Sequence, residues 1–462
     1  MSKEAQLQPS TTGFVVKITV VAALGGLLFG YDTAVIAGVI GLIKTKFGLT
    51  PAMEGWAASS AIWGCVIGSG VAGYMSDRLG RKTTLIFTAI LFAVSSIGAA
   101  LPTNLTQFVL FRIVGGIGIG AASMLSPLYI SEIAPPKIRG KLVSVYQLAI
   151  VIGINLIYFV NLKIASLGTH EWKVETGWRW MIASGLLPSA LFLILLFLVP
   201  ESPRWLIKKN RSAEALNTLE RLNGKEEALA VVQEVELTLN QEKGTIAELF
   251  KPGLRKAMIV GAVLALFSQI TGINAIIYYA PKIFENAGSS TDTALLQTVI
   301  IGVINTLFTF IAIGFIDKLG RKTLLLWGVA GMIIGLAGTG YSLYNQLDGI
   351  WLMVFIFLYI ASFAASLGPI PWVIISEIFP TKTRGIAMSF STTVLWIGVL
   401  LITQFTPMLL EPGLLSDKKE EAGAFTFGLF LIAALILWVF TLIRIPETKK
   451  KTLEEIELSW KK

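Results

Sequence analysis

Asp77-Arg-Leu-Gly-Arg-Lys82 and Asp317-Lys-Leu-Gly-Arg-Lys322 are nearly the same hexapeptide, placed 240 positions apart in a chain of 462 residues. Each stands directly after one long apolar run and directly before another. A charged hexapeptide between two runs of membrane-spanning length is expected at the bilayer surface, where the chain turns back. The recurrence of this turn suggests that the chain contains two related parts.

Two further motifs recur in the same order and at nearly the same distance. Ser131-Glu-Ile-Ala-Pro-Pro-Lys-Ile-Arg-Gly140 returns as Ser376-Glu-Ile-Phe-Pro-Thr-Lys-Thr-Arg-Gly385, and Pro200-Glu-Ser-Pro203 returns as Pro446-Glu-Thr-Lys449. Three motifs repeated in one order indicate a duplicated unit. Carriers that are built from such repeats hold their substrate near mid-membrane, at the interface of the repeats.

The composition excludes a water-soluble globular protein. Hydrophobic residues make up 54% of the chain and charged residues only 15%, against about 25% charged residues in soluble domains. Apolar runs of about 20 residues, long enough to cross the bilayer core, occur at twelve places. They are 17–40, 55–75, 83–101, 107–127, 142–162, 178–199, 257–284, 294–316, 323–344, 350–373, 386–410 and 424–444. The sequence therefore predicts an all-α integral membrane protein with twelve transmembrane helices.

These spans fall into two six-helix bundles on either side of a polar segment. We predict a tail, a first bundle, a linker, a second bundle and a second tail at 1–16, 17–199, 200–256, 257–444 and 445–462. The apolar spacing in 213–222 and 226–239 favours short amphipathic helices in the linker, with a plain solvated linker as the alternative. Most of the 38 lysines and arginines fall on the side of the tails and linker. The positive-inside rule then predicts cytoplasmic termini, in the cell (inner) membrane.

Other classes of protein are not expected. Cys65 and His170 are the single cysteine and histidine, so a disulfide, a cysteine metal cluster and the usual His-based triads are excluded. Gly116-Ile-Gly-Ile-Gly-Ala121 has the spacing of a dinucleotide fingerprint, but it lies inside a predicted span with no preceding strand. The net charge of +9 follows the membrane topology better than a nucleic-acid partner. We expect no enzyme activity, no cofactor and no metal.

The motifs resemble those of the sugar porter family of the major facilitator superfamily. Besides the repeats, the resemblance is carried by Gly30-Tyr-Asp32, Gly272-Ile-Asn274 and Gly368-Pro-Ile-Pro-Trp372, and it extends from about residue 20 to 453. It implies the major facilitator fold and, by similarity to bacterial symporters, import of a hexose or pentose together with a proton by alternating access. A facilitative sugar or polyol uniporter is the alternative, and a non-transporting sugar sensor is a further one. The expected partners are a monosaccharide, protons and the lipid bilayer, with the chain as a monomer.

Asp32 lies inside the first predicted span, where a carboxylate is costly and marks a functional site by default. Arg112, in the fourth span, is the other charge deep in the first bundle. A nearby cation and the loss of water shift the pKa of a carboxylate in opposite directions, so a mobile partner can switch its protonation. The pair resembles the proton-coupling Asp–Arg pair of the family's symporters. A static ion pair that only ties two helices together is the alternative.

Sugar hydroxyls need partners that both donate and accept hydrogen bonds, which side-chain amides do, and a pocket also needs apolar walls. By resemblance to the family, amides, aromatic residues and one glycine of six spans stand at sugar-contacting or gating positions. The predicted sugar site is Phe29, Gln147, Gln269, Asn274, Tyr278, Tyr279, Asn305, Gly368, Trp372 and Trp396. Amides that simply join helices are the alternative interpretation. The proline-rich Gly368–Pro371 stretch is also expected to break its span and act as a hinge.

The chain departs from the family pattern at three positions near this site. Ser268 stands where the family commonly has a glutamine before Gln269, and Leu395 and Val399 stand beside Trp396 where the family often has amides. The second bundle therefore offers fewer hydrogen bonds to a sugar than the family pattern. Because the loss of a partner for one hydroxyl can change discrimination strongly, the identity of the sugar stays open.

The repeated motifs place acids and bases from both bundles at helix ends on the cytoplasmic side. We predict that they form a gate network that holds this side shut and releases when the bundles move, since exposed ion pairs are individually weak. Its predicted members are Asp77, Arg78, Arg81, Glu132, Arg139, Glu201, Asp317, Arg321, Glu377, Arg384 and Glu447. The alternative is that these charges only orient the chain in the membrane.

Overall fold

The computed structural model describes residues 9–135, 138–224, 228–229, 231–233, 246–347, 349–379, 383–447 and 449. This part of the chain is almost entirely helical and contains no β-strand. The first helices are α1 (Pro9–Phe47), α2 (Pro51–Leu79), α3 (Arg81–Gly98), α4 (Leu105–Ile133), α5 (Arg139–Ala165) and α6 (His170–Leu196). Between Lys173 and Gly177, α6 contains a turn of π-helix. We call α1–α6 the first half.

Three short helices follow, namely α7 (Pro203–Lys208), α8 (Ser212–Asn223) and α9 (Ile246–Leu249). The second half consists of α10 (Pro252–Ile270), α11 (Ile273–Asn286), α12 (Thr291–Leu319), α13 (Arg321–Tyr344), α14 (Gly349–Ala364), α15 (Ile370–Glu377), α16 (Arg384–Leu410) and α17 (Lys419–Arg444). If α10 with α11 and α14 with α15 each count as one interrupted span, the chain crosses the membrane twelve times. This is the all-α architecture that the sequence predicts.

The predicted amphipathic helix at 213–222 is present as α8. The second predicted linker helix, 226–239, falls largely outside the described residues. At the N-terminus, helix α1 begins at Pro9, inside the predicted tail 1–16.

Among the described residues, ten helical stretches, with α10 and α11 taken as one, are long and apolar enough to cross a membrane on length and composition alone. Large apolar side chains cover the outside of the molecule; Trp63, Tyr74, Leu187, Trp327 and Ile443 are examples. Contiguous apolar surface of this kind is not tolerated by a water-soluble monomer. The protein is therefore a multi-pass membrane protein.

Two helix interruptions fall inside predicted spans. Gly272 has φ +99°, a left-handed conformation that disfavours a side chain, and it separates α10 from α11. Helices α10 and α11 together cover the predicted span at 257–284, and the break inside it was not predicted. The second break separates α14 from α15 around Gly368 and Pro369, as the sequence predicts, because proline removes a backbone donor and clashes with the preceding turn.

Small residues bring the helices of the first half into close contact. A Cβ atom on Gly64 or Gly116 would collide with the backbone of the facing helix, at Ile113 and Ala61 respectively. Helices α2 and α4 therefore touch through their backbones, at Gly-x-x-x-Gly sequences of the kind that permits such close contact. In the same way, Gly30 of α1 lies against the carbonyl of Ile150 in α5. These contacts make the first half a tightly packed unit.

The two hexapeptide turns have the same geometry. Gly80 and Gly320 have φ +102° and +94°, and each ends one helix and begins the next. A Cβ atom on Gly80 would clash with the carboxylate of Glu201, and one on Gly320 would clash with the carboxylate of Glu447. The repeat therefore includes a glutamate that packs on the turn, as well as the turn itself.

Two sides of the molecule need names. The motif side is the side on which α2 ends and α3 begins, at Gly80. The far side is the opposite one, on which α1 ends and α2 begins, near Thr50.

Candidate functional site

Asp32 and Arg112 form an ion pair inside the first half. An Nη1–H of Arg112 donates to Oδ2 of Asp32 at 2.9 Å, and an Nη2–H donates to the backbone carbonyl of Asp32 at 3.0 Å. Arg112 is almost fully buried, with 2% of its side chain exposed, whereas 12% of the Asp32 side chain is exposed. The carboxylate is thus the more accessible member of the pair.

The guanidinium is held between α1 and α4 with one polar group unused. Its Nε atom is buried and has no hydrogen-bond partner among the described residues. The hydroxyl of Ser95 is in the same condition and lies against Gly115, which also faces Oδ2 of Asp32. A buried donor without a partner is costly. When the carboxylate is neutralised and its hold on the guanidinium weakens, Arg112 can therefore move to satisfy its donors with other partners.

Amides of the second half meet across the break between α10 and α11. Nδ2 of Asn274 donates to Oε1 of Gln269 at 2.7 Å, and Nε2 of Gln269 donates to Oγ of Ser268 at 2.9 Å. The buried Ser268 hydroxyl in turn donates to the carbonyl of Ala265 at 2.7 Å. Ser268, the departure from the family pattern, therefore orients the amide next to it. Each amide keeps further donor and acceptor capacity for a ligand.

Aromatic residues of both halves meet close to these polar groups. The rings of Phe29 and Trp396 have centroids 5.6 Å apart, so α1 and α16 touch across the interface of the halves. Nε1 of Trp396 is buried and has no partner among the described residues. A buried, unpartnered donor beside an aromatic contact is a place where a ligand oxygen can bind.

The other predicted sugar residues differ in their surroundings. Gln147, Gly368 and Trp372 are partly exposed, whereas Asn305 and Tyr278 are buried. Tyr279 is completely buried, and its hydroxyl donates to the carbonyl of Thr403 at 2.8 Å. In this structure Tyr279 therefore ties α11 to α16 and does not line an opening. Leu395 and Val399 are buried beside Trp396, which keeps that part of the wall apolar.

On the motif side of the first half, Arg81 is the centre of a charge network. Its guanidinium makes two hydrogen bonds of 3.0 Å with the carboxylate of Glu132 and one of 3.1 Å with Asp77. Lys208 of α7 bonds the other oxygen of Asp77 at 2.7 Å. Glu201 accepts the backbone N–H of Arg81 at 2.9 Å and that of Lys82 at 3.1 Å. Burial raises the pKa of Glu201, although the backbone N–H groups and Arg81 act against this shift.

The second half contains the matching network. Arg321 bonds the carboxylate of Glu377 at 3.1 Å, and Glu447 accepts the backbone N–H groups of Arg321 and Lys322 at 3.0 and 3.1 Å. Both networks fasten the ends of helices within their own half.

Of the remaining predicted gate residues, only Arg78 has a described side chain, and its described bond lies within the first half. Arg78 bonds the hydroxyl of Tyr74 at 3.1 Å, and the side chains of Asp317, Arg139 and Arg384 lie outside the description. The described pairs of gate residues each lie within one half, so they do not form the predicted network between the halves. It stays a prediction for a conformation in which the halves approach on this side.

Sequence reasoning missed a charge cluster on the far side. Lys44 and Glu54 of the first half meet Lys282 and Glu411 of the second half, with N–O distances between 2.9 and 3.2 Å. Nothing in the sequence indicates it, because each residue alone resembles an ordinary charge at a helix end. We call these four residues the far-side ring.

Uncharged contacts close the same side. Gln404 of α16 accepts from the hydroxyl of Ser59 at 2.8 Å and donates to the carbonyl of Ala52 at 3.2 Å, and the hydroxyl of Tyr158 donates to the carbonyl of Ile277 at 2.6 Å. Like the ring, these bonds join α2 or α5 of the first half to the second half. The structure is therefore closed on the far side.

A membrane protein of two six-helix halves, with an intramembrane Asp–Arg pair in one half and amides in the other, belongs to the class of major facilitator carriers. The family model "Sugar (and other) transporter" matches residues 18–460. The chain is a member of this sugar transporter family.

Known proteins of the family are similar over nearly their whole length. The "Arabinose-proton symporter" of Bacillus subtilis (strain 168) is 45% identical over 464 residues, which cover 98% of both chains. The "D-xylose-proton symporter" of Escherichia coli (strain K12) is 41% identical over 477 residues, covering 97% of this chain and 96% of the relative. An inward-open structure of the xylose transporter XylE from E. coli superimposes with a TM-score of 0.84 at 39% identity, covering 97% of this chain and 100% of the other.

Proposed function

We propose that the protein imports a monosaccharide together with one proton, and that Asp32 carries the proton. The observation that supports this most strongly is the ion pair of Asp32 with the more deeply buried Arg112. A carboxylate kept in the membrane interior is costly, and two relatives of high identity are named as proton symporters of arabinose and xylose.

The proposed proton step follows from the geometry of the pair. When the far side is open, a proton from that side bonds to the carboxylate of Asp32 and neutralises it. Its attraction for the guanidinium of Arg112 then weakens, and Nη1 of Arg112, which donates to that carboxylate in the closed pair, becomes free to take another partner. The net charge of the first half then rises by one, because the neutral carboxyl group no longer balances the charge of the guanidinium. Release of the proton on the motif side restores the pair.

The sugar site is proposed to lie between the halves, at the break of α10 and α11. Gln269, Asn274, Gln147 and Asn305 would bond the hydroxyls, and Phe29, Tyr278, Trp372 and Trp396 would cover the apolar faces of the ring, with Gly368 beside them. The hydrogen bonds from Ser268 to Gln269 and from Asn274 to Gln269 support this site, because they orient two amides before a ligand arrives. Tyr279 would act behind this wall, through its bond to α16.

The direction of transport rests on charge placement. Arg81, Lys82, Lys208, Arg321 and Lys322 all lie on the motif side, and positive residues mark the cytoplasmic side. We therefore assign the motif side and both termini to the cytoplasm of the cell (inner) membrane.

The test is active uptake by Asp32→Asn in proteoliposomes with an imposed proton gradient. Arabinose and xylose come first as substrates, followed by glucose, galactose and inositol. We expect loss of accumulation against the sugar gradient and retention of counterflow exchange, because the neutral amide mimics a permanently protonated carboxyl group. Glu175→Gln, which removes an exposed carboxylate on the far side, should leave accumulation unchanged. Unchanged accumulation in Asp32→Asn would refute the proposal.

The alternative is a uniporter in which Asp32 and Arg112 form a permanent structural tie. The two functions differ in proton movement. Sugar added to de-energised cells that contain the protein should alkalinise the medium if the protein is a symporter. Sugar uptake without alkalinisation would identify a uniporter.

A further inference from the structure

The far-side ring contains two positive and two negative side chains in alternating order. Across the halves, Lys282 lies 2.9 Å from Glu54, and Lys44 lies 3.1 Å from Glu411. Within the halves, Lys44 lies 3.2 Å from Glu54, and Lys282 lies 3.1 Å from Glu411. Every charge thus has two opposite neighbours, one in its own half and one in the other.

Burial makes these contacts consequential. None of the Glu54 side chain is exposed, and 12% of the Lys282 side chain is exposed, whereas Lys44 and Glu411 are 31% and 24% exposed. A pair at the surface contributes little. Removal of one partner from a buried pair, in contrast, leaves an uncompensated charge that is strongly unfavourable.

The arrangement leaves every charge of the ring with a partner when the halves separate. When the halves separate on this side, the two contacts between them break. Each half then keeps one lysine and one glutamate that are already in contact with each other. No buried carboxylate or ammonium group loses its only partner in either conformation, which lowers the barrier to opening.

We propose that Lys44, Glu54, Lys282 and Glu411 form a reversible gate on the far side, in which the pairs between the halves hold the closed conformation and the pairs within the halves hold the open one. This inference rests on the proposed function only in that the halves alternate between two conformations. It assigns no role to the proton or to the sugar.

Two charge-conserving double variants separate the two kinds of pair. Lys44→Glu with Glu54→Lys exchanges charges within the first half, so that like charges face each other across the halves. Glu54→Lys with Lys282→Glu exchanges charges between the halves, so that the contacts across the interface stay attractive and those within each half become repulsive. Both variants have the composition of the wild type and both place a lysine at position 54.

The measurement is the distance between two spin labels on the far side, read by double electron–electron resonance in lipid nanodiscs. Leu167→Cys and Leu414→Cys provide exposed label positions in the first and second half, 65% and 60% exposed, in a Cys65→Ser background that removes the buried native thiol. The experiment needs neither a gradient nor transport. Its result is therefore independent of proton coupling, which Asp32→Asn tests.

We expect the exchange within the first half to raise the ratio of open to closed molecules by about tenfold or more over the exchange between the halves, because like charges at an interface are strongly unfavourable. The exchange between the halves should keep the short distance of the wild type. Equal distance distributions in the two double variants would overturn the proposal.

Single neutralisations test the gate even if a double variant does not fold. Lys282→Gln and Glu411→Gln should each increase the long-distance population. Lys46→Gln is the matched control, since Lys46 lies two residues from Lys44 and pairs with Glu175 inside the first half; it should leave the distances unchanged. The same distribution in Lys282→Gln, Glu411→Gln and Lys46→Gln would refute the gate.

Discussion

The two sides of the molecule use charged residues in different ways. On the motif side, Arg81 and Glu132 join helices of one half, and Arg321 and Glu377 join helices of the other. On the far side, Glu54 and Lys282 join the two halves to each other. The difference shows that charges at helix ends can fasten one folded unit or join two units to each other. It further shows that sequence position alone does not distinguish these roles.

The largest expected effect is on folding, at the motif side of the first half. Arg81→Gln leaves the buried Glu132 and the nearby Asp77 without their common partner, which should destabilise the protein by about 3–5 kcal/mol. A thermal-shift measurement on the purified protein should show a much lower melting temperature. The reference is Arg211→Gln, which removes the exposed ion pair of Arg211 with Glu214. If Arg81→Gln lowers the melting temperature no more than Arg211→Gln does, Arg81 does not fasten these helices.

The equivalent change in the second half should be milder. Arg321 and Glu377 have 13% and 25% of their side chains exposed, against 9% and 7% for Arg81 and Glu132. Since water can compensate for part of the lost contact, Arg321→Gln should cost about 1–3 kcal/mol. The melting temperatures of the two variants, compared side by side, measure this asymmetry. The reverse order would show that exposure does not decide the strength of these networks.

An ion pair outside the far-side ring also joins the halves and sharpens the comparison on this side. Lys173 of α6 bonds Asp292 of α12 at 2.7 Å, but 71% of the Asp292 side chain is exposed. Asp292→Asn should therefore change the open-to-closed ratio by less than about fivefold, in keeping with about 0–1 kcal/mol for exposed pairs. The spin-label pair at Leu167 and Leu414 reports this ratio. A shift as large as that of Lys282→Gln would mean that burial is not what gives the ring its effect.

The smallest effect is expected from pH. Burial raises the pKa of Glu411, but Lys282 and Lys44 outweigh it, so this pKa lies below the usual 4.5. A carboxyl group whose pKa is lowered by a contact stabilises the state with that contact above the usual pKa, and the stabilisation is lost as pH falls further. In Asp32→Asn, which lacks the proposed proton carrier, far-side closure should stay constant from about pH 5.5 to 8 and weaken only in stronger acid. Spin-label distances measured over this range check the expectation, and a transition near neutral pH would contradict it.

Much of the fold could be predicted from the sequence, because hydropathy and repeats are local properties. The twelve spans and the break at Gly368 follow from apolar runs and from proline. The break at Gly272 was missed, since a glycine in an apolar run is compatible with a continuous helix until its φ angle is known. Helix α2 (Pro51–Leu79) is not among the ten described helical stretches that are apolar enough to cross a membrane on composition alone, yet its apolar run at 55–75 was sufficient to predict a span.

The candidate site was predictable to the extent that single residues are unusual. Asp32 and Arg112 stand out because charges are rare inside apolar spans, and the structure brings them together. Tyr279 was expected at the sugar site, but its burial depends on the packing of α11 against α16, which no sequence pattern reveals. Glu54 and Lys282 are 228 positions apart and carry no motif. Such pairs depend on tertiary structure alone.

Glu201 and Glu447 have a consequence for how the chain could be divided. Each glutamate follows the last helix of its half and accepts hydrogen bonds from the backbone of a turn much earlier in that half. A gene split within codons 234–245 would leave each glutamate on the same polypeptide as the turn that it binds, so two co-produced pieces should assemble into a working carrier. A split just before codon 201 would place Glu201 and the turn at Arg81 on different polypeptides, and that pair of pieces should assemble poorly.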